Sequence, residues 1–167
     1  MRWVDPQLDI NQFTCVYIEP TQLYPKPQPS VKIPQATLNG ITNYYDQALK
    51  REVGKALPLA AGPGPGVMAV RAAITAVSSK PYEVIPIALV AAAVSSASGI
   101  RDQDTDLATE AVFLDGGNNK VLAQVVRKGT GKPLENESQV MKADDVKGVI
   151  DGWASDLHQS FLKLKSK

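Results

Sequence analysis

The sequence predicts an α+β fold: a two-layer sandwich, with an about four-stranded mixed sheet and two long helices on one face. Three observations predict it. Two stretches repeat apolar residues at three- and four-residue steps, the period of one helix face. Four others are rich in apolar and β-branched residues and bounded by turn residues, as strands are. Between the last two strands lies Asp115-Gly-Gly-Asn-Asn119, whose residues tolerate the positive φ of a hairpin turn.

The elements follow in order. Phe13-Thr-Cys-Val-Tyr-Ile-Glu19 is β-branched and aromatic and stops at Pro20, which reads as a strand. Tyr24-Pro-Lys-Pro-Gln-Pro-Ser30 alternates three prolines and favours an extended connector over a proline-rich recognition motif. Pro34 suits a first helical turn. Leu38, Ile41, Tyr45, Ala48, Leu49 and Val53 then form one apolar face of a helix over 34–57, ended by Pro58.

Gly62-Pro-Gly-Pro-Gly66 is a loop. A strand over 67–77 places Met68, Val70, Ala72, Ile74 and Ala76 on one face and Arg71 and Thr75 on the other. Residues 107–114 and 121–127 are the hairpin strands. The last helix starts near Asp144, a good N-cap. Its stripe is Val146, Val149, Ile150, Trp153, Leu157, Phe161 and Leu164. Lys163, Lys165 and Lys167 oppose the negative end of its dipole. The element order is β-α-β-insertion-β-β-α. The crossover is expected to be right-handed, with the final helix beside the first.

Length and charge narrow the class. A chain of 167 residues fits a single domain, 1–167, and one of that size removes roughly 70% of its unfolded surface from water. Its 18 basic and 17 acidic residues leave a formal charge of +1. That balance offers nucleic acid no basic footprint. One cysteine, Cys15, cannot form an internal disulfide and does not choose a redox compartment. Met1 leads straight into Arg2-Trp3-Val4-Asp5-Pro6, without a charged-then-apolar leader. The segment therefore reads as cytosolic, or as what remains once a leader is removed.

Three stretches carry a family resemblance. The first is Trp3-Val4-Asp5-Pro6 followed by Phe13 and Val16-Tyr17-Ile18-Glu19-Pro20. The second is Gly64-Pro65-Gly66-Val67 with Arg71-Ala72-Ala73-Ile74-Thr75. The third is Ala111-Val112-Phe113-Leu114-Asp115 and Val121-Leu122-Ala123, with Asp151-Gly152-Trp153-Ala154 and Leu157. In this order they resemble a family of bacterial lipoproteins catalogued as domain of unknown function 3313, over nearly the whole chain.

The resemblance implies a periplasmic domain held to a membrane, expected to be the outer one, by a lipid anchor. Members usually begin with a leader and a lipidated cysteine, which this sequence lacks. Cys15 is not that cysteine, since it lies in a predicted strand. Met1 is then expected not to be native, and residues 1–12 form an N-terminal segment near the tether. The resemblance brings no activity and no catalytic residues.

The candidate sites are few. Asp102-Gln-Asp-Thr-Asp106 starts like a calcium loop, but Leu107 stands where the turn glycine belongs and Phe113 where the bidentate glutamate belongs. The glycine-rich loop 62–66 precedes a strand and not a helix, so it does not cradle phosphate. Cys15 and His158 could serve as nucleophile and base, yet no orienting group is visible beside them. Trp153 reads as core. Trp3 reads as packed on the domain edge, with the membrane surface as the other reading. No catalytic, metal or cofactor residue is assigned.

The remaining feature is an apolar insertion at 82–105. Ala88, Ala92 and Ser96 fall four apart there, with Ala91, Ser95 and Gly99 beside them. Small residues at that spacing let two backbones approach closely. They are the candidate partner contact, for a homo-oligomer or an envelope protein. The expected function is non-catalytic protein interaction or self-association. The alternative is a small-ligand or lipid pocket between the sheet face and residues 82–100. Carboxylate chemistry through Glu110 or Asp106 is a third, lesser reading.

Overall fold

The computed structural model describes residues 2–24, 29–81, 103–134 and 139–166. The fold is α+β, with a mixed sheet and two long helices. Six strands form the sheet: β1 Arg2–Val4, β2 Cys15–Ile18, β3 Gln22–Leu23, β4 Val67–Pro81, β5 Gln103–Asp115 and β6 Val121–Thr130. The helices are α1 Gln35–Val53 and α2 Lys147–Lys165. The sheet order is β1-β6-β5-β4-β2, with β3 pairing β4 beyond the end of β2.

The central pairs β4–β5 and β5–β6 are antiparallel, whereas β2 runs parallel to β4 through the α1 crossover. Two strands beyond the expected four appear. Both β1 and β3 are too short to show an alternating pattern. β1 pairs antiparallel with β6, Trp3 opposite Gln124, so part of the N-terminal segment belongs to the sheet.

Several boundaries differ from those the sequence predicts. The first long strand is shorter: Phe13 closes a 3-10 turn at Ile10–Gln12 and is itself buried. α1 ends at Gly54, four residues before Pro58, with the Gly54 N–H bonded to the Lys50 carbonyl. α2 begins later than Asp144. That residue sits in a 3-10 turn, Ala143–Asp145, where the Asp145 carboxylate accepts from the Lys142 N–H at 2.8 Å.

β4 continues to Pro81 and carries a bulge between Ile74 and Ala76. A bulge adds one residue and reverses the facing that follows. Met68, Val70, Ala72 and Ile74 are buried as expected, but Ala76 is exposed, and Val77 packs on the core in its place. β5 starts at Gln103, so residues 103–105 are strand and not insertion.

The core lies between the helices and one sheet face. All six predicted α1 stripe residues are buried, with Thr37 beside them. Val146, Ile150, Ala154 and Phe161 of the α2 segment are buried; Trp153, Leu157 and Leu164 pack at its margin. Trp153 lies over Gly129 of β6. A Cβ at Gly129 would stand 2.6 Å from Val149 Cγ1 and 3.0 Å from Trp153 Cζ2, so the approach of α2 requires glycine there. Gly66 supplies a φ of +74° where the loop enters β4, and Asn119 one of 60° in the hairpin. The buried hydroxyls are satisfied: Thr37 bonds the Met141 carbonyl at 2.6 Å, and Thr109 bonds that of Ala73 at 2.9 Å.

Candidate functional site

The six small residues Ala88, Ala91, Ala92, Ser95, Ser96 and Gly99 lie outside the described residues. Their flanks are described. Pro81 pairs with Gln103, so the chain leaves and re-enters the sheet at one point, on adjacent strands.

The other residues singled out by sequence do not converge. Cys15 is on β2, where Val16 and Ile18 face the core, so alternation puts the thiol on the opposite sheet face. His158 is on α2, its Nδ1 3.6 Å from Glu52 Oε2 of α1. The sheet separates the two. Asp106 accepts from the Thr130 hydroxyl at 2.9 Å, and Glu110 from the Gln124 amide at 2.5 Å. They are four residues apart on one extended strand, roughly 13 Å, too far to act as a pair. Among the described residues no group of three His, Cys, Asp or Glu is placed to hold a metal.

Among the described residues, no helix lies on the outer sheet face. Arg71 pairs with Glu19 there at 2.8 Å, and Arg71 stands beside Val112, Gln124 and Trp3 in one cross-strand row. Trp3 lies on the edge strand and is 49% exposed; Val121 is 41% exposed.

One cleft stands out, and its position follows from geometry. Strands lie about 4.8 Å apart and packed helices about 10 Å apart. Two helices therefore cover about four strands, while this sheet is five positions wide. The cleft opens under α2 at the β1 edge. Val4, Ala123 and Val125 form its floor, Leu157, Phe161 and Leu164 its roof, and Leu8 and Ile10 its end. Its empty space, open mouth included, is about 440 Å³.

Two guanidinium groups stand in this cleft. Arg2 lies opposite Val125, and Arg127 follows two residues along the same face of β6. The Arg2 Nη1 donates to the Ser160 hydroxyl at 3.2 Å. The Arg127 Nη1 donates to Asp156 Oδ2 at 3.0 Å, with Arg127 25% and Asp156 68% exposed. An arginine on the core-facing side of a central strand is unusual, and sequence reasoning missed it. The ligand pocket expected beside residues 82–100 lies outside the described residues; the cleft described here is bounded by α2 and β1.

An α+β domain with a mixed sheet and a lateral apolar cleft is the class that fold and site define. The chain belongs to the family described as proteins of unknown function, DUF3313, which matches residues 1–157. It is 38% identical over 161 residues to the uncharacterized lipoprotein YdcL of Escherichia coli K12, covering 93% of this chain and 72% of that protein. Among solved structures, protein XCC0632 from Xanthomonas campestris, of family DUF330, is similar with a TM-score of 0.52 and 11% identity, covering 98% of this chain and 91% of that one. At that identity the likeness speaks for the fold alone. The PelC dodecamer from Paraburkholderia phytofirmans gives a TM-score of 0.45 at 10% identity, covering 93% and 95%. That likeness is too distant to bear on assembly.

Proposed function

We propose that this chain is the binding domain of a lipid-anchored envelope protein, periplasmic and held at the outer membrane, and that it acts by association and not by catalysis. The lipoprotein relative at 38% identity supports the address. One observation carries the role: among the described residues the helices pack on one face of the sheet, while on the other Trp3 is 49% and Val121 41% exposed. Large apolar groups on an open face are the ordinary raw material of an interface. The second proposed contact is the small-residue stretch Ala88, Ala91, Ala92, Ser95, Ser96 and Gly99.

Sedimentation velocity of the wild type beside Ala92→Leu and Ser96→Leu tests self-association. A wild-type oligomer that dissociates in the folded variants supports it. A monomer in all three removes self-association and leaves a heterologous partner, tested next by cross-linking through a photoreactive side chain at position 3 in cells. Palmitate labelling and membrane fractionation of the full-length protein test the address.

A further inference from the structure

We propose that the cleft between α2 and the β1 edge binds a single-chain fatty-acid carboxylate, its alkyl end among Leu157, Phe161 and Leu164 and its head on Arg127 and Arg2. The walls are apolar and the mouth is cationic. Among the described residues, two guanidinium groups face one carboxylate there, Asp156, an excess of one positive charge. Arg127 carries five N–H donors, and the hydrogen bond described for it uses one. Arg2 likewise gives one donor to Ser160. A planar carboxylate accepts the parallel donors that such a fork offers. Asp156, being largely exposed, is a weak competitor for Arg127.

The apolar lining forms one strip between the β1 edge and α2, which matches a single alkyl chain. A site whose walls are apolar and whose polar groups sit at one end selects ligands with the same polarity. This pairing excludes a cationic amphiphile by like-charge repulsion and a short acid by lack of buried area.

Titration calorimetry of the chain with decanoate, below its micelle concentration, tests the proposal. Decyltrimethylammonium, acetate and lysophosphatidylglycerol serve as comparison ligands. The expected result is one saturable decanoate site, weakened at least tenfold in Arg127→Gln and lost in Leu157→Trp, which fills the cleft. Arg71→Gln, on the opposite sheet face, leaves it unchanged. Arg2→Gln, on the edge strand, gives a second reading should Arg127→Gln fail to fold. Absence of saturable decanoate binding would overturn the proposal. So would undiminished binding in the folded Arg and Leu157 variants, or equal affinity for the cationic ligand. Binding of lysophosphatidylglycerol without decanoate would also overturn it, since the head would then be a phosphate.

Discussion

The Tyr44 hydroxyl lies 2.7 and 2.8 Å from the two carboxylate oxygens of Asp151, joining α1 to α2 across their solvent-side seam. Arg51 donates to the same carboxylate at 2.9 Å, and the Lys147 ammonium stands 5.0 Å from the Tyr44 ring centre. Burial pushes the Asp151 carboxyl up, but the hydrogen bonds from Tyr44 and Arg51 outweigh it, and the group ends below its usual value.

Tyr44→Phe is expected to lower stability by about 0.5–1.5 kcal/mol, the net worth of one hydrogen bond. For a chain of this length that is a fall of a few degrees in Tm, on the order of 2–4 °C per kcal/mol. Because the folded Asp151 pKa is depressed, its contribution is present above pH 3.8 and is lost as pH falls through the lower, folded value. The effect is small, since the side chain is 45% exposed. Asp151→Asn is expected to flatten the acid limb of the stability curve, measured by urea unfolding between pH 2 and pH 5.

At the alkaline end the sign is opposite. Desolvation raises the Tyr45 pKa above 10.0, and the hydrogen bond to Asp151 raises that of Tyr44. A raised phenol contributes stability that is full below pH 10.0 and is lost as pH rises through the folded value. Unfolding midpoints are therefore expected to fall above pH 10, and less so in the Tyr44→Phe, Tyr45→Phe double variant.

Gly129→Ala is expected to destabilise by about 1–3 kcal/mol through overpacking. The new methyl meets Val149 and Trp153, so the indole emission should shift as α2 lifts. Unchanged emission and Tm would mean that α2 does not lie this close to β6.

The β4 bulge gives a sharper test. Ala76→Lys is expected to stay within about 0.5 kcal/mol of the wild type, as exposed positions do. Val77→Lys, pointing at the core, should cost several times more. Unbroken alternation along the strand predicts the reverse order, so thermal melts of the two variants separate the readings.

That bulge also shows where sequence reasoning fails. The alternation of Met68, Val70, Ala72 and Ile74 is legible because one face is buried and the other is not. Nothing in Ile74-Thr75-Ala76-Val77 marks the inserted residue, since Ala and Val serve on either face. The α1 stripe was legible in full, because 19 residues give five turns over which a period repeats. β1 was not, because three residues carry no period. The cleft was hidden for a related reason. In β6, Gln124 and Arg127 are both polar and Val125 and Val126 both apolar, yet each pair divides between the two faces. Only the pairing partners assign Arg127 inward.

The pairing of β1 also fixes how the domain meets a pull. Arg2–Val4 runs antiparallel to the central part of β6, and the Asp5 N–H extends the ladder to the Leu122 carbonyl at 2.8 Å. Tension arriving along the chain from the N-terminal side is thus directed along the strand axis. It loads the rungs together in shear instead of peeling them one by one. A load entering at residue 2 would therefore reach β6 before any other strand of the sheet.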